Sequence, residues 1–151
     1  MTNVLVVRAN NRPDGISTKM YETFIAEAQT VEGLNVSTFD VFEENLAYFG
    51  QELFNAFGKL QNGEALTAAE QASFDSMNKA RAALDLAEVV VFAFPLWNQT
   101  IPAALQSFID YTYGAGYSFK YNEQGQLVSL MTDKKFIVLN ARGGNYSNPA
   151  M

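Results

Sequence analysis

Two chemically reactive residue types are missing from this chain. It has no cysteine and no histidine. Without cysteine there are no disulfides and no thiol chemistry, which fits a cytoplasmic protein. Without histidine the chain lacks the usual general base and the commonest metal ligand. No metal site is expected, and no side chain stands out as a catalytic acid or base. Chemistry carried by a bound cofactor is the simplest way for such a chain to be an enzyme.

Charge is also scarce. Charged residues make up 17%, and 10 basic against 16 acidic residues leave a net charge of −6. No basic run is present, so neither nucleic acid nor an anionic membrane is an expected partner. No apolar stretch reaches the roughly 18 residues of a membrane span. Met1 to Val7 passes directly into an apolar run with no basic flank or cleavage site, so no signal peptide is expected. Neither G-x-G-x-x-G nor a Walker sequence occurs, which disfavours a Rossmann dinucleotide site and a P-loop.

Apolar and aromatic residues are plentiful: 48% of the chain is apolar, with 12 Phe and 7 Tyr. A single domain of 151 residues can bury a real core with that supply. Asn3–Val7 is a continuous β-branched run, the pattern of a strand buried on both faces. A polar loop, Arg8–Gly15, leads into a helix over about Ser17–Gln29, with Met20, Tyr21, Phe24, Ile25 and Ala28 along one face. Leu34–Phe39 reads as a second strand. A short helix is expected around Gln51–Leu60, with Leu53, Phe54, Phe57 and Leu60 as its apolar side. Thr67-Ala68-Ala69-Glu70 is a capping box opening a long helix to about Leu86. Glu88–Phe94 is the third strand, and Thr100 is expected to cap a helix reaching about Tyr113. Tyr117–Met131 reads as a hairpin turning at Asn122–Gly125. Lys135–Asn140 is the last strand.

Apolar strands alternating with helices indicate an α/β protein, a doubly wound parallel sheet of the flavodoxin-like kind. Its five-strand order is 2-1-3-4-5. Only four strands are found here, giving 2-1-3-4 with a hairpin insertion. The expected domain therefore spans 1–151 but lacks a final helix and one βα unit, about 50 residues.

In such a sheet, ligands bind beyond the carboxyl ends of the strands, where the strand order reverses. Three loops meet there: Arg8–Thr18, Pro95–Gln99 and Ala141–Asn145. Ser17 and Thr18 stand at a helix start, where they either cap the helix or help free backbone N–H groups hold a phosphate. Trp97 is either core packing or a flat surface for a ring system, with Asn98 beside it. Gly143 and Gly144 either form a simple turn or let backbone approach a ligand closely. A phosphate end and a flat-ring end at one place suit a flavin mononucleotide (FMN).

Four segments, in order along the chain, carry a resemblance. Val4-Leu5-Val6-Val7-Arg8-Ala9-Asn10 with Ser17 to Phe24 resembles the opening of the FMN-dependent NADH-azoreductases and quinone reductases. Phe94-Pro95-Leu96-Trp97-Asn98-Gln99-Thr100-Ile101-Pro102 resembles their flavin loop. Gly114 to Tyr121 resembles their hairpin, and Ala141-Arg142-Gly143-Gly144 resembles their S-R-G-G loop. The resemblance implies a homodimer with one FMN per subunit, in which NADH or NADPH supplies electrons for quinones or azo compounds by a ping-pong cycle. It places Asn10, Ile16, Ser17 and Thr18 at the phosphate and ribityl end. It places Leu96, Trp97, Asn98 and Gln99 beside the isoalloxazine, and Ala141, Arg142, Gly143 and Gly144 at the pyrimidine side. Trp97, Gln99 and Phe119 would line the substrate pocket. Asn10 stands where some family members have Ser, and Gln99 where many have Phe. The second difference removes an aromatic wall and implies a different substrate preference. Family members are also longer, in line with the absent βα unit.

Two other functions fit this fold. A flavodoxin-type electron carrier would suit the acidic composition and would turn over no small substrate. A phospho-receiver module needs metal-binding carboxylates after the first strand, and Arg8-Ala9-Asn10 offers none.

Overall fold

Strand alternation sorts the core into two layers. The computed structural model describes residues 1–147; residues 148–151, the end of the expected domain, lie outside the described residues. Four parallel strands form the main sheet: β1 (Thr2–Arg8), β2 (Leu34–Asp40), β3 (Val89–Pro95) and β6 (Lys135–Ala141), in the order β2-β1-β3-β6. Leu5, Val7 and Val90 point to one face and pack with Phe39, Leu53, Met77, Leu84, Leu105 and Phe108. Val4, Val6, Val91 and Ala93 point to the other face, against Tyr21, Phe24 and Ile25. The period of two along each strand produces this division. β1 is apolar on both faces because helices lie on both.

The first face is covered by α2 (Gln51–Gln61), α3 (Ala68–Asp85) and α4 (Ala103–Thr112). The second is covered by α1 (Ile16–Ala28) among the described residues. This is the expected doubly wound parallel sheet, with the expected strand order. The expected hairpin is present as β4 (Phe119–Tyr121) and β5 (Leu127–Ser129), paired antiparallel. Its turn closes because Asn122 Oδ1 accepts the N–H groups of Gln124 and Gln126 while Gly125 takes a φ of 75°. The hairpin is tied to α3 through Tyr117, whose hydroxyl donates to Asp85 at 2.7 Å and whose ring lies under the Arg81 guanidinium. Burial and the Asp85 carboxylate push the Tyr117 hydroxyl well above the ordinary phenol range.

Three local expectations need correction. α1 is capped by Gly15, with Ser17 and Thr18 buried inside its first turn. α4 is capped by Pro102, because Thr100 is held back in a tight turn with Trp97. In α2 the stripe of Leu53, Phe54, Phe57 and Leu60 is not one buried face: Leu53 and Ala56 are buried, while Phe54, Phe57 and Leu60 are exposed. α2 packs against α3, and Phe54 and Phe57 make edge-on ring contacts with Phe49 and Phe74 while staying open to solvent. The Thr67–Glu70 capping box forms as the sequence indicates.

Among the described residues, β6 is paired on one side only, with β3. Val90 and Phe92 fix its register opposite Phe136 and Val138. Phe136 and Val138 thus face the α3–α4 side and Ile137 the α1 side, yet they are 52%, 59% and 40% exposed. An edge strand apolar on both faces is unusual, because such an edge recruits other chains.

Candidate functional site

The loops after β1, β3 and β6 enclose a cavity of about 480 Å³ at the carboxyl ends of the strands. This is a volume typical of small-ligand sites. Its lining includes Asn10, Ile16, Ser17, Leu96, Trp97, Ala141, Arg142 and Gly143. Two contacts lock the walls together. Leu96 donates its N–H to the Ala141 carbonyl at 2.8 Å, and Asn140 Nδ2 donates to the Phe94 carbonyl at 3.1 Å.

One end of the cavity is built to receive negative charge. Lys19 is the first residue of α1 whose N–H bonds back along the helix, to the Gly15 carbonyl. The N–H groups of Ile16, Ser17 and Thr18 precede that bond and have no helical acceptor, at the positive end of the helix dipole. Arg12, on the loop leading into α1, adds a guanidinium group, and no carboxylate side chain lines the cavity. In a chain of net charge −6 this is a local reversal of sign. Arg12 is partly engaged by Asp14 at 3.3 Å, both exposed to solvent.

The other end is flat and apolar. Trp97 is half-buried and also lines a second cavity of about 900 Å³, so its indole divides the two spaces. The larger cavity is walled by Phe42, Tyr48, Phe49, Ile101 and Pro102. Trp97 packs at a tilt against Phe42, 6.3 Å between ring centres. Trp97 is therefore a wall residue, not core packing.

Asn98 and Gln99 adopt φ values of 52° and 64°, and Trp97 and Thr100 exchange both backbone hydrogen bonds across them. This is the geometry of a two-residue turn with both central residues left-handed. Asn tolerates that conformation well. Gln99 does not have that advantage, so strain is stored beside the cavity. The strain follows from the tight closure between Trp97 and Thr100, which sequence patterning alone did not reveal.

Several sequence-derived site residues are placed differently from the rest. Asn98 lines the larger cavity, not the smaller one. Gln99 and Gly144 line neither. Thr18 is buried, and its hydroxyl donates to the Arg12 carbonyl at 2.7 Å. That hydroxyl holds the loop, leaving the Thr18 backbone N–H as its group nearest to an anion. Phe119 sits on the hairpin against Tyr113 and Tyr121 and lines neither cavity, so within one chain it does not meet Trp97. Sequence reasoning passed over Arg12, Gly15 and Met20, all of which line the smaller cavity. Arg12 carries a signal in the sequence: it is a cation in the loop that leads to the Ser17–Thr18 helix start.

Comparison with known proteins agrees with this fold. The family model described as "Flavodoxin-like fold" matches residues 2–150. An FMN-dependent NADH:quinone oxidoreductase of Brevibacillus brevis is 44% identical, the match covering 100% of this chain and 74% of that protein. FMN-dependent NADH:quinone oxidoreductase 1 of Bacillus subtilis is 40% identical, with coverage of 100% and 74%. Among solved structures, an azoreductase from Bacillus anthracis str. Sterne superposes with a TM-score of 0.87 at 44% identity, over 99% of this chain and 74% of that one. Sequence and fold agree: the chain belongs to the flavodoxin-like family that includes the FMN-dependent NADH:quinone oxidoreductases and azoreductases.

Proposed function

We propose that this protein is an FMN-dependent oxidoreductase that takes electrons from NADH or NADPH and reduces quinones or azo compounds. One observation carries the reading. A single cavity joins the free N-terminus of α1, Ser17 and the Arg12 guanidinium at one end to Trp97 at the other. The donors suit a phosphate monoester, and the indole suits a conjugated ring. Gly143 leaves open space where a side chain would stand. The residues present therefore fit FMN.

FMN bound there would supply two-electron chemistry between a nicotinamide donor and a quinone or azo acceptor, in keeping with a ping-pong cycle. The chain's own part is placement. The amides of Ile16, Ser17 and Thr18, with Asn10 and the Ser17 hydroxyl nearby, hold the phosphate and ribityl end. Leu96 and Trp97 flank the ring, with Asn98 and Gln99 shaping the turn behind them. Ala141, Arg142, Gly143 and Gly144 close the pyrimidine side. The Leu96–Ala141 bond keeps the last two groups in register, which favours a fixed donor–acceptor distance.

We also propose a homodimer. Tyr48, Phe49 and Phe54 are exposed beside the larger cavity, and a second copy there would cover them. It would also close the far side of Trp97, forming a pocket for flat acceptors, to which Gln99 and the hairpin's Phe119 would contribute. A cytoplasmic location belongs to the same proposal and is supported by the absence of cysteine. Among the described residues, no helix is long and apolar enough to cross a membrane. Finally, β6 is proposed to be an inner strand that receives a further strand at its open edge. The exposed Phe136, Ile137 and Val138 support this, as does the 74% coverage of the relatives.

The test is to add FMN to the purified protein, remove the excess, and record its absorbance spectrum and its consumption of NADH with a benzoquinone. Retained flavin with quinone-dependent NADH oxidation is expected. Retained flavin without NADH oxidation would favour an electron carrier, and no retained flavin would overturn the reading.

A further inference from the structure

The direction of a hydroxyl proton can be read from the β1–α1 loop. Asn10 is buried, and both ends of its amide are engaged. The Arg12 N–H donates to Asn10 Oδ1 at 2.9 Å. A backbone N–H can only donate, so this contact fixes which end of the amide is oxygen. The Asn10 NH₂ must then face Ser17, and Nδ2 stands 2.6 Å from Ser17 Oγ. Ser17 Oγ is therefore the acceptor in that bond. Its own proton is turned elsewhere, and among the described residues no acceptor lies within reach of it. Ser17 lines the cavity beside the free amides of α1.

Gly15 gives independent support. Its backbone is ordinary and extended, with φ −69° and ψ 143°, so no left-handed conformation requires glycine. The requirement is space: a Cβ at this position would overlap the Asn10 amide. The loop therefore leaves a side-chain-sized gap at residue 15, and Asn10 fills it.

We propose that Asn10 is a positioning residue that holds the Ser17 hydroxyl as a donor toward the FMN phosphate. The proposal rests on the FMN reading and refines it. Asn10 does not need to touch the phosphate. It occupies one lone pair of Ser17 Oγ and leaves the proton for the anion. An aspartate at position 10 would do the opposite, taking the Ser17 proton and turning a lone pair toward the phosphate.

The experiment compares FMN with riboflavin, which lacks the phosphate, by fluorescence titration of the apoprotein. Asn10→Ala should weaken FMN about tenfold, the scale of one hydrogen bond to a charged group, and leave riboflavin within about twofold. Asn10→Asp should weaken FMN more. In a Ser17→Ala background, Asn10→Ala should have little further effect, because the hydroxyl it orients is gone. Gly15→Ala, which displaces Asn10 without removing a polar group, should reproduce the FMN-selective loss. Equal losses for FMN and riboflavin, or additive losses in the double variant, would overturn the proposal by showing a merely structural role. Tight riboflavin binding with no preference for FMN in the unaltered chain would also overturn it while sparing the ring site. Failure to bind either ligand would overturn the FMN reading itself, and this proposal with it.

Discussion

The Leu96 N–H and the Ala141 carbonyl are joined at 2.8 Å, just beyond the paired ends of β3 and β6. This bond carries the sheet's ladder one step further, into the loops that form the cavity. Trp97 on one loop and Arg142 on the other are thereby held by the sheet itself. Sites supported in this way are more precise than sites on free loops.

Trp97 is the single tryptophan of the chain, so its emission reports on one wall. Adding FMN to apoprotein should quench that emission with a saturable titration curve. Trp97→Leu should lower quinone reductase activity more than it lowers FMN affinity, since the phosphate end is untouched. Emission indifferent to FMN would place the ring elsewhere.

Thr18 and Ser17 are adjacent and both buried, but their hydroxyls do different things. Thr18 donates inward to the Arg12 carbonyl. Thr18→Val should therefore cost about 1–2 kcal/mol of stability, the cost of losing a buried hydrogen bond. It should change FMN affinity less than Ser17→Ala does. Chemical denaturation and flavin titration of the two variants side by side check the ordering.

Glu70 closes the capping box and also accepts from Lys59 Nζ at 2.8 Å. The Lys59 hydrogen bond, followed by the Thr67 N–H, holds its carboxyl below the usual range. A carboxyl whose folded pKa is depressed stabilises the fold above its unfolded pKa, about 4.3. That contribution is lost as the pH falls through the lower, folded value. Glu70→Gln should therefore lower the melting temperature at pH 7 and narrow the gap to the parent protein at acid pH. Melting curves from pH 7 down to 3 will show whether the two proteins converge.

The open edge of β6 predicts self-association. The 151-residue chain should associate beyond a dimer as concentration rises, and should bind a hydrophobic dye. Phe136→Lys with Val138→Lys should suppress both, because charge on an edge strand blocks further pairing. Extending the chain by a βα unit should suppress both as well and raise the melting temperature. Sedimentation velocity across a concentration series distinguishes these outcomes. A 151-residue chain that stays dimeric and dye-free would count against β6 as an inner strand.

Much of this protein follows from local pattern. Asn3–Val7 and Glu88–Phe94 are continuous apolar runs, and only strands with helices on both sides bury such runs completely. The Thr67–Glu70 box marked the start of α3 because its hydrogen bonds lie within four residues of one another. The α/β class follows from the alternation of strands and helices, and the strand order and the three loops of the site follow from the flavodoxin-like fold it indicates. What local pattern does not contain is the direction in which a side chain spends its hydrogen bonds. Ser17 and Thr18 are alike in sequence, yet one faces the cavity and the other faces Arg12, because α1 rotates them by about 100° relative to each other. The sequence shows an apolar stripe on α2, and the tertiary arrangement buries Leu53 while leaving Phe54, Phe57 and Leu60 exposed. The turn at Asn98–Gln99 arose from closure between Trp97 and Thr100, and it sent Asn98 to the second cavity. The sequence by itself determined the elements, their order and the end of the sheet where a ligand belongs, because those depend on periodicity and chain connectivity. The tertiary structure alone decided which polar groups remain free to meet a ligand, because that depends on which partners the folded chain brings within 3 Å.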